Sequence, residues 1–130
     1  MKRDQTTIDL LKAAQIMRER GWCRGKYMGP DKRVCLMGAI NLAVFGYAVF
    51  NATFGGCDSL INGPAEPGQL ERITAGELGR IAAAHRRLGR FISGGGRFSH
   101  VSIIDTNDDP TMTEAKAVEY LQGAAEMVEP

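Results

Sequence analysis

Apolar residues recur with helical spacing in three stretches of the chain. In the first, Thr6 or Thr7 is expected to cap a helix that runs to about Arg20, and Gly21 is expected to follow it in a left-handed conformation. Lysine, glutamine and glutamate side chains lie opposite the apolar face, which consists of Leu10, Leu11, Ala13, Ala14 and Met17. The pattern predicts an amphipathic helix.

The second half of the chain repeats this pattern twice. Thr74 and Glu77 predict the start of a helix that ends at Ser93 and the glycines after it. Its apolar stripe is Leu78, Ile81, Leu88 and Ile92, with His85 on the same line as an expected core residue. Thr111 and Glu114 are spaced as a capping box before a last helix. The buried face of that helix is predicted to be Ala117, Val118, Leu121, Ala124, Ala125 and Val128.

No charged side chain occurs from Val34 to Cys57, and such a run is long enough to cross a bilayer. Lys32 and Arg33 would suit the cytoplasmic flank of a spanning helix. Glycine and asparagine interrupt the run, however, and three amphipathic helices are available to cover it. We therefore expect a central buried helix that starts near Cys35 and ends before Asn51, and no membrane association.

The other segments predict shorter elements. Trp22–Tyr27 is expected to form a strand that pairs with His100–Ile104, and the Gly-, Pro- and Asn-rich residues 51–73 are expected to form a long loop. A chain of 130 residues suffices for one domain. The expected fold is mainly α (α+β): a single domain, 1–130, of about four helices around a central apolar helix, with a small two-stranded β element.

Charge and cysteine content limit the possible classes of protein. The formal net charge of +1 argues against a protein that binds nucleic acid over its whole surface. No apolar h-region or cleavage site of a signal peptide is evident at the start of the sequence. Three cysteines are an odd number, so we expect reduced structural thiols and a cytoplasmic location.

Two metal sites can be tested against the spacing of their ligands. The cysteines contain no C-x-x-C pair to hold two thiolates together. A zinc site would need the fold to bring His85 or His100 close to the three separate cysteines, Cys23, Cys35 and Cys57, by chance. Residues 105–110 imitate half of an EF-hand loop, but Pro110 and Lys116 stand where a glycine and a bidentate glutamate are needed. We expect no metal and no cofactor.

A thiol nucleophile is one alternative function. Cys35 lies where a helix should begin, and the helix dipole stabilises a thiolate there. His100 is a candidate base, which Asp105 or Asn107 would orient. This order resembles that of papain-like bacterial cell-wall peptidases, although the residues that flank Cys35 differ from their cysteine motif. A hydrolase that uses Cys35, His100 and Asp105 stays open, with a non-enzymatic protein preferred.

Arginines provide the other candidate surface. Arg80, Arg86, Arg87 and Arg90 are expected opposite the apolar stripe of their helix, with Arg97 just beyond it. Such a face is suited to an acidic protein surface or to the phosphates of a nucleic acid. The loop Phe54–Leu70 is a second candidate surface.

Three short motifs stand in order along the chain: Gly-Trp after the first helix, Cys-Leu-x-Gly-Ala at the second, and Asn-Asp-x-Pro-x-x-Thr before the last. The residues that carry them and the terminal helix core are Gly21, Trp22, Gly25, Cys35, Leu36, Gly38, Ala39, Asn107, Asp108, Pro110, Thr113, Val118, Leu121 and Ala124. Together they resemble a family of small uncharacterised proteins from actinobacteria and their phages. The resemblance covers about half of the chain and little of residues 50–98. Thr106 and Met112 stand where that family's pattern has tryptophan and arginine.

This resemblance implies a compact soluble fold and provides no reaction to transfer. Because the sequence has no catalytic motif and has arginines along one side of a helix, we expect a non-enzymatic accessory protein, encoded by an actinobacterium or its phage. It is expected to act by binding a host macromolecule, with a protein preferred over a nucleic acid.

Overall fold

The computed structural model describes residues 4–23, 33–45, 74–94 and 100–127. Within these ranges the protein is mainly helical, as predicted. The described residues form five helices: α1 (Gln5–Arg20), α2 (Leu36–Phe45), α3 (Ala75–Ile92), α4 (His100–Asp108) and α5 (Glu114–Glu126). The loop predicted at residues 51–73 lies outside the described residues.

Helix α1 has the predicted apolar face but begins earlier than expected. Its N-cap is Asp4 and not Thr6 or Thr7, because the Asp4 carboxylate accepts the backbone N–H of Thr7 at 2.8 Å. Gly21 follows the helix with φ of 91°, in the left-handed region that favours glycine, and donates its N–H to the carbonyl of Met17 at 2.8 Å. The buried residues of α1 are Asp9, Leu10, Ala13, Ala14 and Met17.

Helix α2 is the core helix that the uncharged run predicted. Every residue from Val34 to Val44 is buried, and α2 packs against α1, α3 and α4. An apolar segment of this kind satisfies its backbone hydrogen bonds internally and buries its side chains against amphipathic neighbours. Among the described residues, no helix is both long and apolar enough to cross a membrane.

Capping residues define the starts of α3 and α5. Thr74 and Glu77 form the capping box of α3. Glu77 donates its backbone N–H to Thr74 Oγ1 at 3.1 Å, and Thr74 donates its backbone N–H to Glu77 Oε1 at 2.9 Å. For α5 the predicted pair of Thr111 and Glu114 is wrong. Thr113 is the N-cap instead and accepts the N–H of Lys116 at 3.2 Å. Helix α5 then packs against both α1 and α3.

The predicted two-stranded β element is absent from the described residues. His100–Ile104 belongs to α4, which packs against α3 and α2 and buries Ile103 completely. β-branched residues favour strands only weakly, and burial against neighbouring helices overrides that preference. Trp22 instead forms a single parallel bridge with Val34, in which Cys23 N donates to Val34 O at 2.9 Å and Val34 N donates to Gly21 O at 3.0 Å.

Candidate functional site

Asn107, in the last turn of α4, is the centre of a buried hydrogen-bonded junction between distant segments. Its side chain is buried, and its Oδ1 accepts the indole N–H of Trp22 at 2.8 Å and the backbone N–H of Leu36 at 3.0 Å. Its Nδ2 donates to the carbonyl of Cys23 at 3.2 Å and to Asp108 Oδ1 at 3.0 Å. All four hydrogen-bonding positions of the amide are used. We call this set of contacts the Asn107 junction.

The thiol of Cys35 lies at the start of α2, beside this junction. It is almost completely buried, and its Sγ accepts the backbone N–H of Gly38 at 3.3 Å, as the side chain of an N-cap residue does. Cys35 therefore occupies the helix start that the sequence predicted, inside the core. Asp105 is exposed on α4, and the side chain of His100 lies outside what the structure describes.

The start of α5 joins the same region. Glu114 Oε1 accepts the backbone N–H of Trp22 at 3.0 Å. A Cβ at Gly21 would approach Arg33 Cγ to 3.1 Å, so glycine permits the close passage of these two segments. Residues of the three motifs therefore meet at the Asn107 junction, where they connect the ends of α1, α2, α4 and α5.

Arg80 is bound within the protein. Its Nε donates to Asp9 Oδ2 at 3.0 Å and its Nη2 to Asp9 Oδ1 at 2.7 Å, a bidentate pair between α3 and α1. Asp9 is buried and also accepts Gln5 Nε2 at 2.9 Å. The hydrogen bonds that Arg80 donates to the Asp9 carboxylate raise the pKa of Arg80 above its ordinary value.

Arg87 is likewise bound to a carboxylate of the α1 region, the N-cap Asp4, which lies five residues before Asp9. It is only 4% exposed, and it donates to Thr7 Oγ1 at 2.8 Å and to Asp4 Oδ2 at 2.8 Å. Thr7 Oγ1 donates in turn to the carbonyl of Ala125 on α5 at 3.0 Å. The hydrogen bonds from the Arg87 guanidinium, with that from the Thr7 backbone, hold the pKa of Asp4 well below its usual range.

The predicted arginine face is therefore divided. Arg80 and Arg87, seven residues apart, lie on one line of α3 and face α1, which corrects the expectation that both lie on the solvated side. Arg86 and Arg90 lie on another line, where Arg86 is exposed and Arg90 half-buried. Arg97 lies outside the described residues. Their partners are two carboxylates at the start of α1, the N-cap Asp4 and Asp9, which are 83 and 71 residues distant in sequence.

The residues considered for metals have other positions. Cys23 is buried with its Sγ donating to the carbonyl of Arg33 at 3.3 Å, and Cys57 lies outside the described residues. His85 is buried on α3, on the face where the sequence placed it. In the imitation of an EF-hand loop, Asp109 Oδ1 accepts the N–H of Thr111 at 2.8 Å and so stabilises a turn.

A surface pocket of about 270 Å³ was not predicted from the sequence. It lies where the end of α3, the last turn of α4, the turn after α4 and the first half of α5 meet, and we call it the α3–α5 pocket. It is lined by Ile92, Thr106, Asp109, Thr111, Met112, Lys116 and Tyr120. Its residues come from three helices and a turn, so only the tertiary structure reveals it.

The chain belongs to a family of unknown function, DUF6197, whose model matches residues 1–127. The match extends through residues 50–98, where the motif resemblance was weak, and so includes α3 and its arginines. No curated protein and no solved structure matches the chain.

Proposed function

We propose that this protein is a non-enzymatic accessory protein that binds another macromolecule through the outer side of α3. The observation that carries this proposal is the position of Arg86. It is exposed, and within the described residues no ion pair occupies its guanidinium. An arginine in this state retains five donors in a planar fork that suits carboxylates or phosphates.

Arg90, four residues further along α3, adds a second positive charge on the same side. A protein partner with an acidic surface is preferred, because the formal net charge of +1 provides little general attraction to nucleic acid. The proposed setting is the cytoplasm of an actinobacterium, with the protein encoded by that host or by its phage. The segment Phe54–Leu70 remains the second choice of surface.

Burial of Cys35 weighs against the thiol-hydrolase alternative. A nucleophilic thiol has to meet its substrate, and the Cys35 Sγ is instead enclosed in the core and bonded to the N–H of Gly38. The polar groups of the Asn107 junction are likewise hydrogen-bonded to one another, which gives them a structural role.

The proposal is tested by reversing charge at the outer arginines alone. The variant R86E/R90E leaves Arg80 and Arg87 to hold α1. The matched control is R18E/R20E, which makes the same change in net charge at two exposed arginines of α1. Pull-downs from an actinobacterial lysate, with and without nuclease, then compare the retained proteins by mass spectrometry.

A protein partner that survives nuclease, is lost with R86E/R90E and is kept with R18E/R20E is the expected result. Equal retention by both variants would refute the α3 surface. If the retained proteins disappear with nuclease and their retention weakens steeply with added salt, the arginines bind nucleic acid and not a protein.

A further inference from the structure

Cys23 and Cys35 lie on the two segments that a single β-bridge joins. The bridge pairs Trp22 with Val34 in parallel register, so the residues that follow them, Cys23 and Cys35, form the next pair. Neighbouring strands lie about 4.7–4.9 Å apart, and a disulfide bond joins residues whose Cα atoms are roughly 4.4–6.8 Å apart. The register of the backbone therefore places the two cysteines within the reach of a disulfide.

Contacts on both sides of the bridge support this register. Before it, a Cβ at Gly21 would approach Arg33 Cγ to 3.1 Å, as expected for residues that lie opposite each other. After it, Cys23 N donates to Val34 O at 2.9 Å, and Cys23 Sγ donates to Arg33 O at 3.3 Å. The Cys23 thiol thus lies against the segment that leads into α2. Because side chains alternate between the faces of extended segments, the two thiols leave the pair on the same face.

The two thiols differ in exposure and in setting. Neither forms a disulfide in this structure. Cys23 is 8% exposed and Cys35 only 1%, so a small oxidant meets Cys23 first. Cys35 Sγ accepts the N–H of Gly38 at the start of α2, where the helix dipole favours a thiolate. One cysteine is therefore placed to be oxidised, and the other to attack it.

We propose that Cys23 and Cys35 form a redox-modification site that a peroxide converts to a disulfide. Hydrogen peroxide transfers one oxygen to the Cys23 thiol, which becomes a sulfenic acid, and the rest of the peroxide leaves as water. The Cys35 thiolate then attacks the Cys23 sulfur: the S–S bond forms, the S–O bond breaks, and the departing hydroxide takes up the Cys35 proton as a second water. The two thiols lose two electrons, and one peroxide is reduced to two molecules of water.

The disulfide acts on the Asn107 junction. Asn107 binds the carbonyl of Cys23 and the N–H of Leu36, the residue after Cys35. An S–S bond between the cysteines joins covalently the two segments that Asn107 holds by hydrogen bonds, and so fixes the start of α2 to the segment after α1. This site responds to oxidants and is independent of the surface of α3 around Arg86.

The test uses the variant C57S, in which Cys23 and Cys35 are the only cysteines. The folded protein is treated with equimolar hydrogen peroxide, and its intact mass is measured before and after reduction with dithiothreitol. We expect a loss of two hydrogen atoms that dithiothreitol reverses. Trypsin cleaves after Arg24 and Arg33, so the link is expected between peptides 21–24 and 34–72.

A register control moves one thiol by a single residue. In C57S/V34C/C35S the second cysteine points to the opposite face, and circular dichroism checks that the variant is folded. We expect it to form the link at least about tenfold more slowly than C57S. The oxidised C57S is expected to unfold at a higher urea concentration than its reduced form, because the link constrains the unfolded chain.

Three outcomes would overturn the proposal. In the first, peroxide leaves both thiols of C57S reduced, oxidises them to sulfinic acid or joins two molecules, without linking Cys23 to Cys35. In the second, the register control forms its link as readily as C57S. In the third, the disulfide lowers the urea midpoint, because a bond that distorts the fold does not follow from the register of the bridge.

Discussion

Replacing Asn107 by alanine would remove the centre of the Asn107 junction. Four partner groups would lose a hydrogen bond: the carboxylate of Asp108, the indole N–H of Trp22, the backbone N–H of Leu36 and the carbonyl of Cys23. The last two bonds are buried, and a buried polar group left unsatisfied costs about 1–3 kcal/mol. Trp22 is half-buried, so water compensates part of its loss. We expect N107A to lower the free energy of unfolding by about 3–5 kcal/mol, a large share of the roughly 5–15 kcal/mol typical of a domain.

Urea unfolding followed by far-UV circular dichroism measures this loss, and the fluorescence of Trp22, the single tryptophan, checks that the transition is cooperative. The control is D105A on the same helix, where the exposed side chain is expected to change stability by no more than about 0.5 kcal/mol. A loss of less than about 1 kcal/mol in N107A would show that water replaces the amide, and would refute the assignment of Asn107 as a buried connector.

Two further predictions concern the packing of α3. The pKa of Asp4 is lowered in the folded protein, so the ionised carboxylate stabilises the fold at every pH above the pKa that Asp4 has in the unfolded chain. The wild type should therefore be more stable than D4N at pH 6, and this difference should decline as the pH falls below about 4. Urea midpoints measured from pH 6 to pH 2 test this, since asparagine keeps the N-cap bond but not the charge; a difference independent of pH would contradict it. In G123A the new methyl group would overlap the ring of Phe91, so thermal unfolding should show a loss of about 1–3 kcal/mol. G79A has open space and the higher helix propensity of alanine, so a gain of up to about 1 kcal/mol is expected, and equal effects of the two substitutions would refute the packing argument.

Apolar periodicity was sufficient to predict most of the helices. The buried faces of α1, α3 and α5 follow from local spacing, because each face is formed by residues three or four apart. The burial of α2 on all sides follows from the absence of charged residues in its sequence. Helix α4 was missed because it has nine residues, too few for a clear period, and its first half contains Val101, Ile103 and Ile104, β-branched residues that favour strands. Its helical state depends on packing against α3 and α2, which the local sequence does not encode.

The polar contacts were harder to predict because their partners are distant in sequence. Asn107 is separated by 71 residues from Leu36 and by 85 from Trp22, so its motif predicted only a turn. The four arginines of α3 were expected on one face, but their division depended on where α1 packs. Arg80 and Arg87 face its carboxylates, whereas Arg86 faces away.

The hydrogen bond from Thr7 to the carbonyl of Ala125 spans 118 residues, and α1 packs along α5 as well as α2. During synthesis α1 is therefore complete long before α5, one of the helices that it packs against, exists. Until residue 125 has left the ribosome, part of the apolar face of α1 has no partner, and domains in such a state aggregate readily. Folding of this domain is therefore completed only after α5 has been made.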